Sequence, residues 1–289
     1  MHGRMIHNKD GTLNDIPYDI VNGNCIYSVS RRRLNIVLLN AADKYPEVNL
    51  FFNKKVVDAD LDNGKLKILD TKTQRTEEVK ADLIIGADGA YSTIRRVMAK
   101  RPLFNFSQTY IEHGYIELFV PIGKNNECKP YHVGKTLLVG DAAHAMVPFY
   151  AQGMNTGFED ILLLDELMER YDSDFSLILP KFTELRCEDA HASSDLAIYN
   201  YIEMRDLVTR KSFLLRKRLD TFLYRQIPNT WIPLYNTVHF SRMKFRDCVA
   251  NKEWQDKIVR RAGWCTLFLI FGILAAPLVD AFGRKSISY

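Results

Sequence analysis

An α/β region followed by an all-α region and an apolar tail is the fold class that this 289-residue sequence predicts. Three observations carry the reading. Two short apolar runs, at residues 81–86 and 136–140, each end in glycine, as buried parallel strands do when they feed a turn. From residue 189 onward nearly every segment carries a helical pattern, with no strand signals between. Residues 264–279 (WCTLFLIFGILAAPLV) contain no charge at all.

The elements follow in order. Residues 24–30 read as a strand, and Ser30 stands where an N-cap belongs, before a helix that opens at Arg31 and ends at Tyr45-Pro46. Leu34, Leu38 and Ala41 recur on one face of that helix. Residues 48–52 and 54–61 are strand-like. Asp62-Asn63-Gly64 then signals a hairpin, because Asn-Gly tolerates the positive φ of a tight turn. Residues 66–69 give the returning strand, and residues 77–79 extend the sheet. The middle is thin: after residues 111–120 comes a turn-rich segment at 121–130, with no long element on either side. After the second glycine-ended strand comes a strong helix over 157–171. The segments group as 1–188 (α/β), 189–262 (helical) and 263–282 (tail).

Composition narrows the class. Hydrophobic residues at 47% and charged residues at 26% are ordinary for a globular chain and exclude disorder and low complexity. Thirty-nine basic against 35 acidic residues leave +4, too small an excess to mark a nucleic-acid binder. Five cysteines without CxxC spacing form neither a disulfide framework nor a zinc site, which suits a reducing compartment.

Two strand-to-helix turns carry chemistry. In the first, Gly86-Ala87-Asp88-Gly89-Ala90-Tyr91-Ser92-Thr93, small residues permit close backbone approach by a cofactor's phosphates or ribose. Ser92 or Thr93 caps the helix bearing Arg95, and Asp88 accepts from hydroxyls or orients the turn; an ordinary capped surface turn reads the same way. In the second, Gly140-Asp141-Ala142-Ala143-His144 leads to Gln152-Gly153-Met154-Asn155. Asp141 is an acceptor suited to a polyol, and the amides near Gly153 lie at the positive end of the next helix. His144, beside alanines, reads as a packed structural histidine and takes no assignment.

The pair of motifs, DGxxSxxR (Asp88 to Arg95) and GDAAHxxxPxxxxG (Gly140 to Gly153), resembles two fingerprints of the single-component FAD-dependent aromatic hydroxylases. Further matches narrow the resemblance to the branch that hydroxylates kynurenine. They lie at residues 3–7, 16–18, 28–31, 110–115, 198–205 and 231–235. The resemblance implies a Rossmann-like FAD-binding fold with a helical C-terminal region and a membrane tail. It implies FAD as cofactor, NADPH as cosubstrate, and L-kynurenine and O₂ as substrates, giving 3-hydroxykynurenine. By position, Arg4, Tyr18, Asn200 and Tyr235 would bind the substrate's amino-acid end. Arg31, Val56, Thr93, Asp141, Met154 and Asn155 would contact FAD. No side chain is implied as a nucleophile or metal ligand.

The sequence departs from that family in one respect that bears on function. It has no GxGxxG, the turn that receives the FAD pyrophosphate. The chain reads as starting where that unit has already ended, with a second gap near Glu127-Cys128. The expectations are a truncated form, strand edges and apolar faces left uncovered, and weak FAD retention. A rival reading is a catalytically silent, membrane-anchored fragment that acts as a binding protein.

The tail completes the expectations. Sixteen residues at 1.5 Å each span roughly 24 Å, between Arg260-Arg261 and Arg284-Lys285. A buried core helix has the same pattern; the basic flanks favour a tail anchor in the mitochondrial outer membrane, with the body in the cytosol.

Overall fold

The computed structural model of the chain describes residues 1–7, 10–109 and 125–285; at 4, 6, 7, 109, 125–127, 209 and 267–285 it describes the backbone alone. The chain divides into two compact units, Met1–Arg216 and Lys217–Tyr289.

The first unit begins with a hairpin of β1 (Gly3–His7) and β2 (Leu13–Pro17), in register from Gly3 opposite Pro17 to His7 opposite Leu13. Helix α1 (Arg31–Ala42) follows, and the Ser30 side chain accepts from the Arg33 amide, as the cap expectation required. Strands β3 (Lys54–Asp60), β4 (Lys65–Asp70) and β5 (Thr76–Lys80) form an antiparallel sheet through the predicted Asp-Asn-Gly turn. Gly64 supplies the positive φ there, at +65°, and a Cβ on it would lie 2.2 Å from the Ala81 carbonyl oxygen, so only glycine fits.

Strand β6 (Ile84–Gly86), helix α2 (Thr93–Met98), strands β7 (Asn105–Thr109), β8 (Asn125–Lys129), β9 (His132–Val133) and β10 (Thr136–Leu138) complete the α/β part. β10 pairs in parallel with β6 and antiparallel with β9, while β7 pairs with β8. Short helix α3 (Asp141–His144) leads to α4 (Gly153–Arg170) and the long α5 (Phe175–Arg205), continuous across residues 188 and 189. The core gathers β6, β10, α2, α4 and α5 around Ile84, Met98, Leu137, Leu138, Leu167, Ile178 and Phe182.

Three local expectations are corrected. Residues 24–30 and 48–52 are not strands: Ile26 exchanges both backbone hydrogen bonds with Met1, at 3.0 and 2.8 Å, but β-rich composition makes a strand only when a ladder of such pairs exists, and none forms at either segment among the described residues. Phe51 and Phe52 are accordingly 78% and 64% exposed. The turn-rich segment before Pro130 contains β8, whose partner β7 outweighs its polar composition. The strong helix begins at Gly153 rather than 157, since glycines at 153 and 157 are tolerated once the apolar face is buried. Residues 111–120 lie outside the described residues.

α6 (Lys211–Gln226) crosses the boundary between the units. The second unit contains α7 (Leu234–Phe240) and α8 (Phe245–Lys285), with Pro228 and Pro233 separating α6 from α7. Its centre is Trp231, whose indole N–H donates to Asp220 at 3.0 Å and whose ring lies 5.7 Å from Trp254. Asn251 and Gln255 of α8 both donate to the Ile232 carbonyl, which the proline after it leaves outside any helix ladder. The tail residues 264–279 continue α8. Their side chains from 267 on lie outside the described residues, and among the described residues no helix is long and apolar enough to cross a membrane.

Candidate functional site: two turns joined by a buried arginine

The parallel pairing of β6 with β10 brings the two glycine-ended turns side by side. In the first turn Asp88 acts inward. Its Oδ1 accepts from the Ser92 hydroxyl at 2.5 Å and its Oδ2 from the Thr93 and Ile94 amides at 2.6 and 3.2 Å. Ser92 in turn accepts from the Arg95 amide at 2.9 Å. Asp88 therefore orients the turn, satisfying amides that the start of α2 leaves open. Of the two candidate caps, Ser92 is the N-cap and Thr93 the first helical residue.

Arg95 links the motifs. Its side chain is buried and donates to the carbonyls of Ala90 at 2.6 Å, Ala142 at 2.8 Å and Asp141 at 3.4 Å. Its guanidinium lies 4.9 Å from the centre of the Phe106 ring. Burial pulls its pKa below the ordinary value, with Cys128 and Asp88 opposing. The arginine of the first fingerprint thus holds the backbone of the second.

The second turn is pinned from the opposite side. Gly140 adopts φ +57° and ψ −143°, a conformation left to glycine. Its amide donates to Asp160 Oδ2 at 2.8 Å, and His144 Nε2 lies 2.7 Å from the same oxygen. Arg186 Nε donates to Asp160 Oδ1 at 2.5 Å, while its other nitrogens reach Asp189 at 3.0 Å and the Thr156 carbonyl at 2.9 Å. Asp160 and His144 have no exposed surface. Burial pushes the Asp160 carboxyl up, but His144, Arg186 and the Gly140 amide outweigh it and hold it below the ordinary range.

What faces outward is a different set. Asp141 is exposed at the first position of α3. The start of α4 has no side-chain cap; Met154 and Asn155 are exposed there, with Asn155 donating to the Gln152 side chain at 3.0 Å. A Cβ on Gly153 would stand 3.9 Å from Asp141 Oδ1, which places the helix start beside that carboxylate. An exposed acceptor for hydroxyls next to open backbone amides fits the ribityl chain and the electron-rich edge of a flavin. The residues present fit FAD.

The structure brings together Thr93, Asp141, Met154 and Asn155, the last three at the second turn and Thr93 one arginine away. Asn200 on α5 is fully buried and donates to the Phe149 carbonyl at 2.8 Å, while its Oδ1 finds no hydrogen-bond partner among the described residues. Val56 on β3 is half-buried against the core, and Arg31 is exposed at the start of α1. Arg4 sits in β1 opposite Ile16, two residues from Tyr18, and its side chain is outside the described residues. Tyr235 belongs to the second unit, stacked 4.0 Å from His239. Sequence reasoning missed Asp160, Arg186 and Asp189. The signal was present: each is a charge on an otherwise buried helix face, with Thr156, Leu164 and Leu167 beside Asp160, and Phe182 and Ala190 beside Arg186 and Asp189. His144 is the structural histidine its surroundings suggested.

Comparison with known proteins agrees with the geometry. Residues 3–118 and 122–171 match the model of an FAD binding domain. The chain is 44% identical to kynurenine 3-monooxygenase of Anopheles gambiae over 90% of its own length and 71% of that protein. It is 33% identical to the kynurenine 3-monooxygenase of Sus scrofa, covering 96% and 75%. The Anopheles match runs over 346 aligned positions, more than the 289 residues of this chain, so that relative carries internal residues with no counterpart here. Among solved structures, p-nitrophenol 4-monooxygenase of Pseudomonas putida shares the fold with a TM-score of 0.56 at 14% identity, covering 76% of this chain and 75% of that one. The chain belongs to the kynurenine 3-monooxygenase family of flavin-dependent monooxygenases.

Proposed function

We propose that the chain hydroxylates L-kynurenine to 3-hydroxykynurenine with FAD as cofactor and NADPH and O₂ as cosubstrates. The observation that carries the reading is the paired turn: Asp141 exposed beside the uncapped start of α4, its backbone tied by Arg95 to the Asp88 turn, in a chain 44% identical to a kynurenine 3-monooxygenase. Bound at these turns, FAD would supply the activation of O₂ that no amino-acid side chain provides. The protein's part is to bind and orient. Asp141 accepts hydroxyls, and the amides at Gly153 to Asn155 stabilise negative charge. Arg31, Val56 and Thr93 complete the FAD contacts by position, and Arg4, Tyr18, Asn200 and Tyr235 take the substrate's amino-acid end. The relatives from Anopheles gambiae, Drosophila willistoni and Sus scrofa, each a kynurenine 3-monooxygenase, give no support to a catalytically silent fragment.

The apolar run at 264–279, between Arg260-Arg261 and Arg284-Lys285, supports a tail anchor, which we assign to the mitochondrial outer membrane with the body in the cytosol. The activity is tested with the whole chain in saturating FAD, following NADPH oxidation and product mass with kynurenine. Formation of 3-hydroxykynurenine supports the reading, and NADPH oxidation indifferent to kynurenine overturns it. Resistance to carbonate extraction, lost on deletion from Trp264, supports the anchor.

A further inference from the structure

We propose that Asp160 is the positioning residue of the flavin site, holding Gly140, Asp141 and the first turns of α4 in the geometry that receives the cofactor. The inference rests on the FAD reading above. Asp160 has no exposed surface and cannot touch a ligand, so its action runs through others.

Both of its oxygens are committed. Oδ2 accepts from the Gly140 amide at 2.8 Å and lies 2.7 Å from His144 Nε2; Oδ1 accepts from Arg186 at 2.5 Å. One carboxylate therefore joins the β10–α3 turn, α3 and α5 to α4. Arg186 carries the tie further, donating to the Thr156 carbonyl one turn before Asp160. Two parts of the site, the turn bearing Asp141 and the start of α4, thus refer to one group.

The turn requires such a tie. Gly140 sits at φ +57° with nothing within 4 Å of the place its Cβ would fill, so side-chain packing does not hold its backbone. A glycine without packing samples many conformations unless a hydrogen bond selects one. The close approach of α4 permits that bond: a Cβ on Gly157 would lie 3.6 Å from the Gly140 Cα. The Gly140 carbonyl is held by the Ala143 and His144 amides at 2.9 and 3.0 Å, and its amide by Asp160, so the direction of the Asp141 carboxylate, one residue on, depends on the Asp160 bond from the strand side of the turn. Stability alone does not call for a charge here, since Leu164 and Leu167 continue the same buried face with apolar side chains.

The test compares Asp160→Asn with Asp189→Asn, which removes the other carboxylate on Arg186 and leaves Asp160 in place. Amide hydrogen exchange on the chain without cofactor is read at residues 139–145, and FAD affinity by fluorescence titration of the whole chain. In Asp160→Asn the Gly140 amide should exchange about ten-fold faster and FAD should bind about ten-fold more weakly, because one neutral amide oxygen replaces two charged acceptors that serve Gly140 and Arg186 from opposite sides. In Asp189→Asn both should stay within about three-fold of the wild type, whatever the loss in melting temperature. If Asp160→Asn does not fold, Asp160→Glu, which keeps the charge on a longer arm, should show the same two changes at smaller size. Unchanged exchange, unchanged FAD affinity, or equal effects of the two substitutions at equal loss of stability overturns the assignment. A wild-type chain that takes up no FAD even at saturation overturns the proposed function and the flavin role of Asp160 together, and is told apart by the wild-type titration alone.

Discussion

α1 and α4 are both helices with an apolar face, and they have opposite fates. α1 is capped by Ser30 and carries Leu34, Leu38 and Ala41 on one side, yet it buries no residue; Ile36, Val37 and Leu38 are about half exposed. α4 has no side-chain cap and two glycines in its first five residues, yet it buries Thr156, Asp160, Leu164 and Leu167. Local signals decide whether a helix forms, and partners decide what it contributes. Around α1 the partner strands expected at 24–30 and 48–52 are not formed. Around α4, β10 and α5 supply both an apolar wall and a set of charges.

The largest expected effect strikes the α4 side. Arg186→Met leaves Asp160 and Asp189 buried without their cation, and should cost about 3–5 kcal/mol in denaturant unfolding. A loss below about 1 kcal/mol would show that this network does not distinguish α4 from α1. Next comes apolar packing. Leu167, 1% exposed, should cost about 3 kcal/mol as Leu167→Ala through lost burial and the cavity left behind.

A smaller effect concerns acid. The Asp160 carboxyl is held below the ordinary carboxylate range, with His144, Arg186 and the Gly140 amide facing it and Asp189 on the far side of Arg186. A carboxyl depressed on folding contributes stability above its unfolded value, about 4, and loses it as pH falls through the lower folded value. The stability difference between the wild type and Asp160→Asn should therefore be constant near neutrality and shrink below about pH 4. A difference that grows on acidification would mean that Asp160 is protonated in the folded chain.

The same contrast explains what could be read from sequence. The Ser30 cap, the Asp-Asn-Gly hairpin and the two glycine-ended strands depend on neighbours along the chain, and all were legible. The motifs that carry Asp141, Met154 and Asn155 are contiguous, so their meeting at one exposed turn was legible as well. The buried network was not, because Asp160, Arg186 and Gly140 meet only through folding across 20 to 26 positions. The part Asp88 plays in orienting its own turn was one of the two readings its type allowed, whereas that of Arg95 was not legible, because its partners include the backbone of the neighbouring turn. Residues 48–52 misled because their composition suits a strand that has no ladder partner among the described residues.

The smallest expected effect sharpens the comparison most. Leu38→Ala removes a side chain 46% exposed from a helix that buries nothing, so neither a cavity nor much transfer energy is at stake. Alanine also has the higher helix propensity, which offsets part of any loss. The change should fall within about 0.5 kcal/mol of zero, against about 3 kcal/mol for the same truncation at Leu167. Equilibrium unfolding of the two variants under one set of conditions measures the contrast. Should Leu38→Ala cost 2 kcal/mol or more, the apolar face of α1 is covered in solution, and the exposure of Leu38, Phe51 and Phe52 is not the state in which the chain is stable. A concentration dependence of that cost would then separate cover by a second copy from cover by the chain itself.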